Sequence, residues 1–101
     1  MYRQGDVLIH AVANIPATAQ PYKLDRNRIV LAYGEVTGHA HAIEDLGAVE
    51  AFEDNGKVYL RIKGDAAVKH EEHGAIHLPV GLYRVTIQRE YSPEAIRNVQ
   101  D

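Results

Sequence analysis

No cysteine occurs among the 101 residues. Disulfides and thiolate metal sites are therefore excluded, and the redox compartment stays undetermined. Long apolar runs are also missing. None approaches the ~20 residues of a membrane-spanning helix, and the first residues lack the charged-then-apolar order of a secretory signal. A cytoplasmic protein with no membrane partner is expected. An excess of positive charge is missing too. Lys and Arg number 11 against 14 Asp and Glu, giving a net charge of −3 with histidines neutral. Tight non-specific binding to a nucleic-acid backbone relies on many cationic contacts, so nucleic acid is not an expected partner. The one local basic group, Lys23, Arg26 and Arg28, reads as a solvated loop. Neither an internal repeat nor a low-complexity tract is present, and no Gly-x-Ser-x-Gly signature supplies a nucleophile.

The remaining composition is ordinary for a globular chain, with 46% hydrophobic and 25% charged residues. The length fits a single domain over residues 1–101 with a modest core. Frequent turn signals cut the chain into about eight short strands. Val7–Val12 is apolar on both faces, which suits a central strand. Asn14–Asn27 carries Pro16 and Pro21 and reads as a long loop or an extended edge segment. Arg28–Tyr33 and His39–Glu44 are β-branched or small-residue strands flanking Gly34–Gly38. Asn55-Gly56 between Ala48–Asp54 and Lys57–Lys63 is the strongest local signal, a type I′ hairpin. Ala66–His70, Ala75–Leu78 and Leu82–Tyr91 follow, with Tyr83, Val85 and Ile87 sharing a face. Ser92-Pro93-Glu94 has the cap, first-turn proline and acid that begin a short C-terminal helix. Strands so short, at such spacing, predict an all-β domain, a small β-barrel or sandwich, with a closed barrel hiding its edges.

The chemistry-bearing stretch is Gly34–Ile43, read GEVTGHAHAI. On a strand, period-2 geometry sends His39 and His41 to one face and Ala40 and Ala42 to the other. His70–His77, read HEEHGAIH, adds His70, His73 and His77, so five of the six histidines fall in two short clusters. His10 stands alone in the first strand and reads as a partly buried histidine with a backbone partner. Neutral imidazoles converging from a rigid frame suit a divalent transition metal, here Fe, Mn, Ni or Zn. His39 and His41 are one half of such a site. His70, His73 and His77 are candidates for the rest, with Glu44, Asp45, Glu71 and Glu72 as carboxylate options.

At these positions the chain resembles the cupin superfamily of small metal-binding β-barrels. That family's first motif runs Gly, five residues, His-x-His, three or four residues, Glu, six residues, Gly. Here Gly34 is followed by four residues and His39-Ala40-His41, with Glu44 or Asp45 near the acid position and Gly47 early. The second motif runs Gly, five residues, Pro-x-Gly, two residues, His, three residues, Asn. Here Gly74 leads to Pro79-Val80-Gly81, with Arg84 in place of the histidine and Gln88 in place of the asparagine. The resemblance spans Gly34–Gln88 and implies a cupin-like barrel with His39 and His41 as metal ligands. Arg84 does not ligate metals, so one of His70, His73 or His77 would replace the second-motif histidine.

Three functions compete at this level. The first is a metalloenzyme or metal-binding barrel acting on a small polar or anionic molecule. Arg84 would then orient an anionic group and Glu44 or Asp45 would serve as acid or base. The second is a metal-free hydrolase or phosphodiesterase using histidines as acid and base. The third is a non-catalytic interaction or structural module. A homodimer is the default assembly.

Overall fold

A computed structural model describes residues 1–34 and 39–88. Ten strands run in chain order: β1 Tyr2–Gln4, β2 Val7–Ala11, β3 Gln20–Pro21, β4 Ile29–Tyr33 and β5 Ala40–Ile43, then β6 Val49–Asp54, β7 Lys57–Ile62, β8 Ala67–Lys69, β9 Ile76–His77 and β10 Gly81–Ile87. The domain is all-β among the described residues. The helix expected from Ser92-Pro93-Glu94, and the end of the last expected strand at Tyr91, lie outside them.

The strands form two antiparallel sheets. One has six strands in the order β1-β2-β10-β7-β6-β3, the other four in the order β4-β5-β8-β9. The closed barrel expected from sequence is therefore corrected to two open sheets. The edge strands β3 and β9 are two residues each, and Pro21 removes an N–H from β3. Such edges cannot carry a ladder from one sheet into the next. Side chains cross the seams instead: the Tyr22 hydroxyl donates to Val30 O at 2.7 Å and Gln4 Nε2 to Val68 O at 3.1 Å.

Local rules explain most of the ladder. The β6–β7 hairpin turns at Asn55 (φ 50°) and Gly56 (φ 78°), the positive angles a type I′ turn demands. Alternation along β7 buries Leu60 and Ile62, and along β10 it buries Tyr83 and Val85. β2 lies between β1 and β10, with Val7 and Ile9 fully buried. Its two apolar faces thus belong to an interior strand, as the sequence indicated. One apolar cluster joins the sheets, with Ile9, Leu60 and Ile62 from the larger meeting Ile29, Ile43 and Val68 from the smaller. Burying each of these side chains contributes about 1.5–3 kcal/mol. On the other face of β5, Ala40 and Ala42 pack with Val30.

Candidate metal centre

Alternation along β5 decides which way its histidines point. Ala40 and Ala42 take one face, so His41 shares the core face with Ile43, and His39 precedes it by two. Antiparallel pairing of Ile43 with Val68 then brings the end of β8 beside the start of β5, and His70 follows Val68 by two. The His41 and His70 rings stack with centroids 4.2 Å apart. His73 adds a third ring, 4.8 Å from His70 and 6.0 Å from His41. His39 meets His70 edge-on at 5.8 Å. The two sequence clusters therefore converge at one end of the space between the sheets.

Hydrogen bonds fix which ring nitrogens are free. Gln4 is 2% exposed, on β1 of the opposite sheet. Its Nε2 donates to Val68 O at 3.1 Å and to Gly74 O at 2.8 Å. Two carbonyls around the nitrogen orient the amide, so its Oε1 faces His41 Nδ1 at 2.8 Å as an acceptor. His41 consequently carries its proton on Nδ1, and Nε2 holds the lone pair. His39 Nδ1 lies 3.3 Å from a Glu72 carboxylate oxygen, a partly exposed ion-pair contact. His70 is the reverse of His41. Its Nδ1 accepts the Glu72 N–H at 3.0 Å, so the neutral ring is protonated on Nε2.

Electrostatics follow from the same packing. Burial, and then repulsion from any charge on His70 and His73, lowers the His41 pKa, while Asp6 and Glu71 pull weakly the other way. His41 is thus held neutral, the form that binds metals or accepts protons. The Ala40 N–H donates to Glu71 Oε1 at 3.0 Å and holds that carboxyl below its usual range, helped by Glu71's own backbone N–H and by His39 and His70. Among the described residues, His39, His70 and Glu71 each bring one donor atom to within 4.8 Å of the others. Ligands on a single Zn²⁺ at ~2.0–2.1 Å sit roughly 3.3 Å apart. Small side-chain rotations therefore separate this group from a coordinating one. Two imidazoles and a carboxylate suit Zn, Fe or Mn.

The cluster borders a cleft of about 650 Å³ lined also by Gly5, Asp6, Tyr33 and Ile87. Gly5, at φ 60°, lets the β1–β2 turn approach the rings. A Cβ there would stand 3.0 Å from His73 Nε2 and 3.4 Å from His41 Cε1. The Asp6 carbonyl accepts the Gln88 N–H at 2.8 Å, which pins the end of β10 beside that turn.

The other expected site residues fall elsewhere. His77 is exposed on β9 opposite Ala67 and does not line the cleft. Glu44 reaches Lys69 at 3.7 Å on the outside of the smaller sheet. Asp45 accepts the Ala67 N–H at 3.0 Å, a structural bond that starts β8. Arg84 pairs across strands with His10 and Tyr59, on the face of the larger sheet opposite buried Tyr83 and Val85. Alternation puts it on the side away from the histidines. Gln4, Gly5 and Asp6 are site residues that sequence reading missed. The available signal was Gln4, a polar residue in a strand position that alternation from Tyr2 turns inward.

The model of a family described as Domain of unknown function (DUF8820) matches residues 3–88. No curated protein matches the chain, and no solved structure does. Among the described residues no helix is long and apolar enough to cross a membrane.

Proposed function

The chain belongs to the DUF8820 family, and we propose that it binds a divalent transition metal (Fe, Mn, Ni or Zn) through His39, His70 and Glu71, with His41 beside them. The metal would act on a small polar or anionic molecule admitted through the cleft, which His39 and His70 line and Glu71 does not. The observation that carries this reading is the approach of three donor atoms from two distant chain segments to within 4.8 Å. The Glu72 carboxylate 3.3 Å from His39 Nδ1 supports it, being placed where a ligating histidine commonly finds a carboxylate at its second ring nitrogen. The cupin resemblance enters only through His39 and His41. When bound, such a metal supplies Lewis-acid polarisation and a lowered pKa for bound water. The chain's own part is to orient His39, keep His41 neutral and shape the cleft.

Ligation through His70 Nε2 requires the proton to move to Nδ1, so the Glu72 N–H bond must open. Metal binding is therefore coupled to the Glu72 amide. Elemental analysis of tag-free protein should find one equivalent of metal, lost in His39→Ala and His70→Ala and kept in His77→Ala. Titration with Zn²⁺ should shift the Glu72 amide resonance. Protein that neither carries nor accepts metal would overturn the proposal.

The His70 tautomer favours a second reading, metal-free acid–base chemistry. His41 would be the base through its Nε2 lone pair and His70 the acid through Nε2–H, their rings stacked at 4.2 Å. Hydrolysis of bis(p-nitrophenyl) phosphate that persists in chelator and disappears in His41→Ala would select it.

A further inference from the structure

An anionic substrate needs a cation to receive it, and Arg84, the residue expected to do so, faces away from the histidines. Among the described residues no lysine or arginine lines the histidine cleft. Arg28 and Lys69 line a different cavity, where Glu44 and Glu71 stand with them. Arg3 is turned back onto the Gly5 carbonyl at 3.1 Å. Besides the imidazoles, the ionisable groups with charge at neutral pH on the cleft wall are Asp6 and Glu72. A dication held by Glu71 would not reverse their sign. With the histidines neutral, its two positive charges meet three negative ones.

Hydrogen-bonding capacity points the same way. His41 lines the cleft, is 6% exposed, and has its Nδ1 proton committed to Gln4. Its Nε2 lone pair takes no hydrogen bond among the described residues, so a buried acceptor on the cleft wall lacks a donor. The Asp6 and Glu72 carboxylates are acceptors only. Tyr33 donates its hydroxyl to Asp25, which anchors a ring that lines the cleft and stays 65% exposed. An open aromatic face attracts a cation.

We infer that the cleft takes a small organic cation with N–H donors (an ammonium, amidinium or guanidinium group) held by Asp6, Glu72, His41 Nε2 and the Tyr33 ring. This narrows the proposed substrate to a polar molecule of positive charge. It rests on the metal-centre reading only for the reaction, since none of the four holding groups is a proposed metal ligand. The cleft, at about 650 Å³, has the ~300–1,000 Å³ size of small-molecule sites.

Benzamidine, benzamide and benzoate have nearly one shape and carry positive, no and negative charge. Each would be titrated at pH 8, where free histidines are neutral, into metal-free ¹⁵N-labelled protein, and amide shifts followed. Benzamidine should bind at least about tenfold more tightly than benzamide, the size of one hydrogen bond to a charged group. Benzoate should bind weakest, and the benzamidine shifts should include Gly5, Asp6 and Tyr33. Asp6→Asn and Glu72→Gln should each cut the preference for benzamidine at least about threefold. Glu72 is exposed, so the fold of that variant is not in question. Asp65→Asn removes an equal charge beyond the other end of β8 from His70, and should leave the preference unchanged. Benzamide or benzoate binding as tightly as benzamidine, no benzamidine binding below about 10 mM, or an equal loss in Asp65→Asn would overturn the inference. One equivalent of Zn²⁺, added separately, tests the metal centre. His39 and His70 ring signals that stay unmoved would overturn that centre and leave the comparison of the three probes standing.

Discussion

Replacing Gln4 by Leu tests whether one amide both ties the sheets together and sets the His41 tautomer. Leu has similar volume and preserves burial, so the change removes hydrogen bonds and little packing. Three are lost: Nε2 to Val68 O at 3.1 Å, Nε2 to Gly74 O at 2.8 Å, and His41 Nδ1 to Oε1 at 2.8 Å. Each intramolecular bond contributes about 1 kcal/mol net, and each buried partner left alone costs about 1–3 kcal/mol. The Gly74 bond is only partly buried, so water replaces part of it. His41 loses its only fixed acceptor among the described residues, and its proton is free to redistribute between the nitrogens. The expected destabilisation is about 2–4 kcal/mol. Urea unfolding followed by tyrosine fluorescence and far-UV circular dichroism measures it, and ¹⁵N shifts of the His41 ring report the tautomer. A loss under about 0.5 kcal/mol, the size of an ordinary surface change, with the Nδ1–H form intact, would refute the role assigned to Gln4.

The sequence announced the strands better than their closure. Asn55-Gly56 and the alternation of Val58, Leu60 and Ile62 carry their geometry locally, since turn chemistry and period-2 burial act within a few residues. The same alternation correctly separated His39 and His41 from Ala40 and Ala42. Whether a sheet closes is decided between residues far apart. The two-residue strands β3 and β9 are too short to leave a periodic signal, yet they end the ladders. Site membership failed for a related reason. His77 looked equivalent to His70 by residue type, but pairing with Ala67 carries it away from the ring cluster. Asp45 looked like an available acid until the Ala67 N–H claimed it. Gln4 showed only its inward parity, because its importance comes from Val68 and Gly74, dozens of positions away. Arg84 occupies a motif position and still faces the wrong side, because strand parity outranks motif spacing.

Gly5→Ala should cost about 1–2 kcal/mol in urea unfolding because φ is 60°, while metal affinity holds, since the new methyl meets only the far end of the exposed His73 ring. Gly56→Ala has open space around it, so only its φ of 78° matters, and the cost in urea unfolding should be about 1–2 kcal/mol with metal affinity intact. Asp45→Ala should cost about 1 kcal/mol through the lost bond to the Ala67 N–H, and should not change hydrolysis or metal content, since Asp45 serves β8. Stability of the metal-free protein should depend on pH through His41. Its folded pKa lies below the ordinary 6.5, so between the two values the unfolded chain binds a proton that the folded chain refuses. The contribution is fully present above pH 6.5 and is lost as pH falls through the folded value. Glu71, also depressed, gives the same sign in a separate window below its ordinary 4.5, so the two are resolved by pH. Urea midpoints should hold between pH 7.5 and 6.5 and fall by pH 5.5 in the native sequence, and that fall should shrink in His41→Asn. An unchanged slope in that variant would mean that His41 pays no penalty for protonation where it sits, and that the rings around it are solvated rather than packed.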